Sequence, residues 1–257
     1  MQGTSAKKLM TTDSTDFGFQ KILPEDKSWR VAKVFSSVSS RYDLMNDLMS
    51  IGVHRLWKRF AVHISGVKKG QTVLDVAGGT GDLAFLFHQR VGEEGRVLLT
   101  DINNDMLMHG RNKFIDKGII NGINCVQADA EHLPFQENSF DCICIAFGLR
   151  NVTDKQAALK SMYEKTKYGG CIIILEFSVV ILPWLKRLYD AYSFKIIPWL
   201  GKVVANDEES YRYLVESIRM HPDQGTLKNM IEDAGFTKVD YYNLSGGIVA
   251  IHKAYKL

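Results

Sequence analysis

A glycine-rich turn after a β-like segment carries the clearest chemical signal in the chain. The run Ala77-Gly78-Gly79-Thr80-Gly81 directly follows Thr72-Val73-Leu74-Asp75-Val76. Glycine lets a backbone approach a ligand closely, and a following helix offers free N–H groups at its first turn. We therefore take Gly79, Thr80 and Gly81 as candidate contacts of a nucleotide-like cofactor. The spacing Gly79-x-Gly81-x-x-Ala84 also fits a dinucleotide fingerprint, so the turn alone does not identify the cofactor.

Three acidic residues near the ends of predicted strands narrow this choice. Asp75 lies in the strand before the turn, where it would repel a pyrophosphate but attract the ammonium and sulfonium groups of S-adenosylmethionine. Asp101 ends the next strand and is placed to accept hydrogen bonds from ribose hydroxyls. Asp129 can accept the adenine amino group, and the small neighbour Ala130 leaves room for the ring. Together with the turn, these residues favour S-adenosylmethionine.

Each of these carboxylates also has a purely local interpretation. Asp75 could cap the turn, Asp101 could be the N-cap of the next helix, and Asp129 could be an ordinary loop residue. An NAD-dependent oxidoreductase therefore stays an alternative, and a cofactor titration separates the two classes.

The elements that must position these residues alternate between strand and helix. Unbroken apolar runs such as Cys142-Ile143-Cys144-Ile145-Ala146 predict strands covered on both faces, and the helical patterns between them predict parallel βαβ units. The sequence thus predicts an α/β, Rossmann-like fold with a seven-stranded, mostly parallel sheet and helices on both faces. The strands are predicted at 72–76, 96–100, 123–127, 140–146, 171–177, 238–244 and 248–255.

The segments outside this alternation suggest further parts of a single domain, 17–257. Residues 1–16 are polar and predict a disordered tail. Apolar residues at helical spacing over 28–65 predict a helical lid. Residues 179–234 are helical in pattern, with Pro183 and Pro198 as breaks, and predict a helical insertion on the substrate side.

Composition and charge exclude several classes of protein. The net charge of +3 is too weak for a nucleic-acid binder, which would carry a basic stripe. The four cysteines contain no Cys-x-x-Cys pair, so we predict small buried residues in a reducing compartment and no metal site. Because the N-terminus lacks an apolar signal region and no apolar run reaches about 18 residues, a cytoplasmic protein is predicted.

Several longer motifs resemble a specific family of enzymes. The chain is similar, from about Phe17 to its C-terminus, to the UbiE/COQ5 methyltransferases, which methylate prenylated quinols on carbon in menaquinone and ubiquinone synthesis. The most specific motifs are Arg41-Tyr42-Asp43 with Met45-Asn46, Phe147-Gly148-Leu149-Arg150-Asn151 and His221-Pro222-Asp223-Gln224; Phe17-Gly18-Phe19 and His54-Arg55-Leu56-Trp57-Lys58 support them.

The resemblance implies both a cofactor site and a substrate site. It implies S-adenosylmethionine contacts at Thr80, Asp101, Asp129 and Ala130. A further family contact, often a serine, falls on Ala146 here, so a hydroxyl contact is lost or replaced by backbone. On the substrate side it implies Arg150 and Asn151.

Transfer to carbon requires a nucleophilic ring carbon rather than a metal, because the sulfonium is already a strong electrophile. Deprotonating a quinol hydroxyl pushes charge onto the ring, so a general base helps. We predict that Arg150 and Asn151 organise this deprotonation, although Arg150 could instead pair with Asp154. Tyr42, Asn46 and His54 are secondary candidates from the predicted lid, and His54 could be an ordinary surface histidine.

The prenyl tail of a prenylated quinol substrate determines which partners we predict. Aromatic and aliphatic residues over 179–204 could line a tail channel or contact a membrane surface peripherally, and Lys186, Arg187, Lys195 and Lys202 lie between them as in an interfacial helix. Ordinary core packing is the alternative. A quinone-synthesis complex or a homo-oligomer is also compatible with the sequence. Other open functions are a small-molecule O- or N-methyltransferase and a non-catalytic scaffold, whereas an RNA methyltransferase is disfavoured by the dispersed basic residues.

Overall fold

A computed structural model describes residues 14–38, 46–47, 50–202 and 207–257. The first elements are a small hairpin of β1 (Thr15–Phe17) and β2 (Gln20–Ile22), followed by helix α1 (Pro24–Val38). The predicted tail 1–16 thus overlaps a strand at its last two residues, because Thr15 and Asp16 pair with Ile22 and Lys21. The rest of that prediction lies mostly outside the described residues.

Strands and helices then alternate as the apolar pattern predicts. Two glycines with a positive φ mark helix ends: Gly66 follows the helix His54–Ser65, and Gly81 precedes the helix Asp82–Val91. The elements are α2 (His54–Ser65), β3 (Thr72–Val76), α3 (Asp82–Val91), β4 (Arg96–Asp101), α4 (Asn104–Asp116), β5 (Ile123–Gln127), β6 (Phe140–Ala146), α5 (Lys155–Lys165) and β7 (Thr166–Phe177).

Strand β7 is longer than predicted, and pairing at its start explains the difference. Thr166 pairs with Phe140 of β6, before a register shift that precedes the regular pairing of Cys142 with Cys171. The Tyr168-Gly169-Gly170 stretch interrupts the apolar pattern, so the sequence alone predicts a start only at Cys171. Gly169 nevertheless donates its N–H to the carbonyl of Lys256 at 2.7 Å, which ties this stretch to the sheet.

After β7 the chain forms helices before it returns to the sheet. These are α6 (Pro183–Ala191), a π-helical segment (Tyr192–Ile196), α7 (Ile197–Leu200), α8 (Glu208–Met220) and α9 (Gln224–Asp233), followed by β8 (Thr237–Leu244) and β9 (Val249–Tyr255). Leu227 and Ile231 of α9 pack against the sheet. The final helix of the predicted insertion therefore belongs to the layer that covers the sheet.

The large sheet has seven strands in the order β5-β4-β3-β6-β7-β9-β8. The neighbouring strands from β5 to β7 pair in parallel, whereas β9 pairs antiparallel with both β7 and β8. This architecture confirms the predicted mostly parallel sheet. Because the strand order reverses at β3 and β6, a crevice opens beyond their carboxyl ends, where ligands bind in such sheets.

Alternate side chains of each central strand pack into two separate hydrophobic layers, one on each face of the sheet. Val73, Cys142, Cys144 and Ile173 face a layer that also contains Phe87 of α3, whereas Leu74, Ile143 and Ile172 face the layer with α5 and α9. Both faces are thus covered, which explains why these strands lack polar alternation. Cys142, Cys144 and Cys171 are buried, as predicted, and Cys125 is half-buried.

The two described helices of the predicted lid have different roles. Helix α1 lies at the crevice, to which it contributes Ser28, Val31, Ala32 and Phe35. Helix α2 packs on the sheet instead, with Trp57, Ala61 and Val62 in the core. In the part of the chain that the structure describes, no helix has the length and apolar character needed to cross a bilayer.

Candidate functional site

A cavity of about 750 Å³, including open solvent at its mouth, lies at the carboxyl edge of the sheet. Its wall is formed by α1, by the turns after β3 and β6, by the end of β4 and by the segment after β5. The lining residues include Val31, Phe35, Ala77, Gly79, Asp101, Asn103, Ala128, Asp129, Ala130, Phe147, Asn151 and Thr153.

The glycine turn forms one wall of the cavity, and backbone hydrogen bonds hold it in place, one to β4 and one within the turn. Gly78 N–H donates to the carbonyl of Thr100 at 3.0 Å, and Gly81 N–H donates to the carbonyl of Gly78 at 3.0 Å. Gly81 has φ +77°, and a Cβ there would overlap the ring of Phe114. A glycine is therefore required at the start of α3, as the sequence indicates.

Asp101 connects this turn to the cavity. Its Oδ2 accepts the N–H of Gly79 at 2.9 Å, and its Oδ1 accepts the N–H of Asn103 at 2.9 Å. Burial raises the pKa of Asp101 to about 6, although these backbone donors oppose the shift. The alternative helix-capping role falls on Asn103, whose side chain accepts the N–H groups of Asp105 and Met106. Asp101 is thus free of that role and lines the cavity.

Asp75 lies beneath the turn rather than in the main cavity. It is fully buried; its Oδ2 accepts the N–H of Ala84 at 2.9 Å, and its Oδ1 accepts a hydrogen bond from the thiol of Cys144 at 3.4 Å. Burial raises the pKa of Asp75 to about 7. The local capping role that the sequence allowed is therefore present, and a cofactor contact of Asp75 stays a prediction.

Asp129 and Ala130 lie together on the opposite wall. Asp129 Oδ1 accepts the N–H of Glu131 at 2.9 Å and caps a 3₁₀ turn, Ala130–His132. Both Asp129 and Ala130 line the cavity. Ala146 and Thr80 do not line it; they line a second, smaller cavity on the other side of the glycine turn.

Arg150 is buried in an ion pair behind the cavity. Its Nη1 donates to Glu176 Oε1 at 2.9 Å and to the carbonyl of Phe147, and both side chains of the pair are 2% exposed. The alternative pairing with Asp154 is wrong, because the Asp154 carboxylate caps α5 by accepting the N–H of Ala157. Arg150 is also absent from the cavity lining, so it does not present its guanidinium to that space.

Asn151, the neighbour of Arg150, does line the cavity. Its Oδ1 accepts a hydrogen bond from the hydroxyl of Tyr213 in α8 at 3.1 Å. Burial raises the pKa of Tyr213 well above its ordinary value, so the phenol stays a donor at neutral pH. This bond fixes the amide with its nitrogen available as a donor.

The two secondary candidates that the structure describes, His54 and Asn46, do not line the main cavity. His54 is buried, with Nε2 2.9 Å from Asp47 Oδ1, and burial is the main cause that lowers its pKa. The interpretation of His54 as a surface histidine is therefore wrong, and it does not line the main cavity either. Asn46 is buried near the same region. Tyr42 lies outside the described residues.

Some lining residues were not singled out as site residues from the sequence. Ser28, Val31, Ala32 and Phe35 follow the spacing i, i+3, i+4, i+7 of one helical face, so a signal existed, but it equally describes a core-facing helix. Phe147 has φ +55°, an uncommon conformation for a bulky residue that clusters at functional sites. No sequence pattern indicates this strain.

The raised pKa of Asp101 predicts a pH-dependent cofactor affinity. Ribose hydroxyls donate to the carboxylate form, so S-adenosylmethionine affinity should fall below pH 6, by up to about tenfold per pH unit. The contribution of the same group to folding has the opposite pH dependence. The pKa of Asp101 in the folded protein is raised above its ordinary value of 3.8, so the contribution to stability is present below pH 3.8 and is lost as pH rises through about 6. Calorimetric titrations between pH 5 and 7 would measure the affinity change.

The variant Asp101→Asn serves as the control for that pH profile. It should bind weakly with an affinity that no longer changes near pH 6. A profile that persists in this variant would assign the titration to another group, with Asp75 the first candidate because its pKa is also raised.

Comparison with known proteins gives a consistent result for the whole chain. The model of the ubiE/COQ5 methyltransferase family matches residues 23–256. The chain is 60% identical over 244 residues to the ubiquinone/menaquinone biosynthesis C-methyltransferase UbiE of Escherichia fergusonii, covering 95% of this chain and 97% of that protein. The Klebsiella pneumoniae protein of the same name is equally similar, with the same coverage.

Solved structures resemble the fold at much lower sequence identity. A possible histamine N-methyltransferase from Thermotoga maritima superposes with a TM-score of 0.62 at 17% identity, over 88% of this chain and 99% of that one. An S-adenosyl-L-methionine-dependent methyltransferase from Methanococcus maripaludis gives 0.61 at 16% identity, over 85% and 91%. These matches confirm the predicted fold class. The family match and these structures also confirm the cofactor class and the methyltransferase activity predicted from the sequence. The chain belongs to the ubiE/COQ5 methyltransferase family.

Proposed function

We propose that this chain transfers the methyl group of S-adenosylmethionine to a ring carbon of a prenylated quinol, in menaquinone synthesis, ubiquinone synthesis or both. The observation that carries the proposal is the 60% identity, over 95% of the chain, to relatives named ubiquinone/menaquinone biosynthesis C-methyltransferase. The cavity at the carboxyl edge of the sheet supplies the matching site.

The residues of this cavity fit the cofactor. Gly79 of the turn lines the cavity and carries no side chain, so backbone alone forms that part of the wall. Asp101 offers a carboxylate to the ribose hydroxyls, and Asp129 offers one to the adenine amino group, with Ala130 beside it. When bound, the cofactor supplies a methyl group activated by a positive sulfur.

The chain itself must keep water away from the acceptor, align its ring with the methyl group and promote the loss of its hydroxyl proton. Val31, Phe35 and Phe147 cover the cavity with apolar surface, which limits water near the reacting atoms. We assign to Asn151 the task of orienting the quinol hydroxyl, or the water that takes its proton, through the amide that Tyr213 fixes. Loss of that proton pushes charge onto the ring carbons and makes them nucleophilic.

Arg150 acts in this proposal as a positioning residue. Its bonds to Glu176 and to the carbonyl of Phe147 hold the 3₁₀ turn Leu149–Asn151 at the edge of the cavity. Tyr42 and His54 stay secondary candidates in this proposal, and the carboxylate of Asp47 holds the ring of His54.

The decisive experiment is a methyl-transfer assay with two acceptors. Labelled S-adenosylmethionine is incubated with the protein and either reduced demethylmenaquinone or reduced 2-methoxy-6-polyprenyl-benzoquinone. The proposal predicts label on a ring carbon of at least one acceptor. Comparison of the two acceptors shows which ring is methylated. Tight cofactor binding without transfer to either acceptor would contradict the quinol as substrate.

We further propose that the protein contacts a membrane surface peripherally, where a prenylated acceptor resides. Among the described residues between β7 and α8, eight large apolar side chains are exposed. Six of them form a set that we call the apolar surface: Ile181, Trp184, Leu188, Phe194, Ile196 and Trp199. Exposed Lys186, Arg187 and Lys195 lie between them, and exposed Lys202 follows Trp199. Apolar side chains interleaved with cations are typical of segments that bind anionic lipid surfaces.

Replacing Trp184 and Leu188 by serine should weaken binding to vesicles that contain anionic lipid by about tenfold or more. Each replacement removes an exposed side chain that we propose inserts into the membrane surface. Full burial of such a side chain contributes about 1.5–3 kcal/mol to binding. Co-sedimentation measures the binding. Ile120→Ser is the matched control, because Ile120 is 86% exposed but precedes β5 at the opposite edge of the sheet. Wild-type protein that never co-sediments, yet forms oligomers that the double variant loses, would assign the apolar surface to self-association.

A further inference from the structure

The Phe17-Gly18-Phe19 motif lies at the tip of the hairpin formed by β1 and β2, and none of its residues lines the first cavity, the one that contains Asp101 and Asn151. In the described part of the chain the hairpin pairs three residues of each strand. Two strands of this length are not stable by themselves in water. The contacts that hold the hairpin in place must therefore come from other parts of the protein.

The strongest of these contacts is a stack of two aromatic rings. Phe17 lies on the ring of Tyr213 in α8, with centroids 4.2 Å apart and an angle of 22° between the planes. The hydroxyl of the same tyrosine donates to Asn151 Oδ1 at 3.1 Å. Because the hydroxyl oxygen lies in the plane of the ring, a contact that fixes the ring also fixes the atom that donates to Asn151.

Glu216, one helical turn after Tyr213, holds the tip of the hairpin. Its Oε2 accepts the N–H of Phe19 at 3.1 Å. Gly18 has φ +58°, and a Cβ there would overlap the Glu216 side chain, so a glycine is needed for the hairpin to lie this close to α8. Residues three positions apart share one face of a helix. Tyr213 and Glu216 therefore present a ring and a carboxylate to the same motif.

The hairpin is also connected to the loop that carries Asn151. Lys27, in the first turn of α1, is 2% exposed. Its Nζ donates to the carbonyl of Val152 at 3.1 Å and to Thr15 Oγ1 at 3.4 Å. Val152 directly follows Asn151 and also lines the first cavity. The hairpin thus reaches this wall of the cavity along two routes, one through Tyr213 and one through Lys27.

We propose that Phe17 is a positioning residue for methyl transfer, which acts by holding the Tyr213 ring so that its hydroxyl fixes the Asn151 amide. This inference rests on the proposed role of Asn151 in the reaction. The competing explanation is that Phe17 contributes only to packing between the hairpin and α8. Packing alone predicts a loss of stability with no specific link to Asn151.

Single-turnover methyl transfer in a double-variant cycle distinguishes the two explanations. Each protein is saturated with labelled S-adenosylmethionine and supplied with reduced demethylmenaquinone or with reduced 2-methoxy-6-polyprenyl-benzoquinone. Phe17→Leu removes the ring but keeps an apolar side chain, and it should lower the rate by about three- to tenfold, the range that a stacked aromatic pair contributes. Combined with Tyr213→Phe, it should cause no further loss, because the hydroxyl that Phe17 positions is already absent.

Two variants of the same hairpin serve as controls. Phe17→Tyr keeps the stacked ring and should retain the wild-type rate. Phe19→Leu should also leave the rate unchanged, because the Phe19 ring is 57% exposed and stacks near Phe194 rather than on Tyr213. No loss of rate in Phe17→Leu, or the same loss with and without the Tyr213 hydroxyl, would overturn the proposal.

The side-chain amide signal of Asn151 tests the same contact without turnover. In a proton–nitrogen correlation spectrum it is assigned as the amide pair that Asn151→Ala loses. Phe17→Leu and Tyr213→Phe should both shift this pair, whereas Phe17→Tyr and Phe19→Leu should leave it in place. An unshifted pair in Phe17→Leu would overturn the proposal for Phe17 alone. Transfer to neither quinol by the wild-type protein would overturn the proposed function, and the amide signal would still decide whether Phe17 positions Asn151.

Discussion

Replacing Glu176 by leucine is expected to lower the free energy of unfolding by about 3–5 kcal/mol. Arg150 and Glu176 are each 2% exposed at the side chain, and the carboxylate also accepts the backbone N–H groups of Arg150 and Phe177. Leucine would leave the guanidinium buried without a counter-charge. Removing one partner of such a pair therefore destabilises the protein by much more than the intact pair stabilises it.

Urea denaturation of three variants would measure this effect. The pair Arg212–Glu208 on α8 is exposed, so Arg212→Met should cost about 0.5 kcal/mol or less. The double variant Arg150→Met with Glu176→Leu removes both charges and should recover much of the stability lost in Glu176→Leu. A loss in Glu176→Leu no larger than that in Arg212→Met would contradict the description of Arg150 and Glu176 as a buried pair.

Asn151→Ala should lower methyl-transfer turnover by about 100-fold while S-adenosylmethionine affinity stays within about threefold. The amide lines the cavity, and Tyr213 fixes its orientation through a 3.1 Å hydrogen bond. Positioned groups that assist proton transfer contribute about 10²–10⁴ to rate. Single-turnover rates at saturating cofactor, together with calorimetric affinities, separate an effect on chemistry from an effect on binding.

Tyr213→Phe is the matched control for Asn151. It removes the hydroxyl that orients the amide and leaves the amide in place, so turnover should fall only severalfold. A parallel loss of cofactor affinity and turnover in Asn151→Ala would place this residue in cofactor binding instead. Full turnover would exclude it from the reaction.

Local sequence patterns account for most of the fold. Unbroken apolar runs such as Cys142–Ala146 predict strands covered on both faces, and the structure places their alternate residues in two hydrophobic layers. The glycine turn, Asp101 and Asp129 could be located because each lies at the carboxyl end of a strand or within two residues of it, and parallel strands place such positions at one edge of the sheet. Their joint presence in the first cavity follows from this geometry alone.

The partners of buried charges could not be predicted in the same way. Arg150 pairs with Glu176 from the next strand, 26 positions away, rather than with nearby Asp154. Lys58 meets Asp82 across 24 positions, and no motif spacing connects them. Such contacts depend on how separate elements pack, whereas periodicity reports only which face of one element is apolar. The burial of His54 beside Asp47 is a tertiary effect of the same kind.

The placement of β9 between β7 and β8 has a consequence for biosynthesis on the ribosome. β8 bonds to the sheet only through β9, although it is made first. While a nascent chain has emerged only as far as β8, the outer edge of β7 keeps unpaired N–H and C=O groups, and an open edge invites pairing with other chains. This edge of β7 stays open until residues 249–255 pair with it, and chaperone capture over that interval would protect the protein.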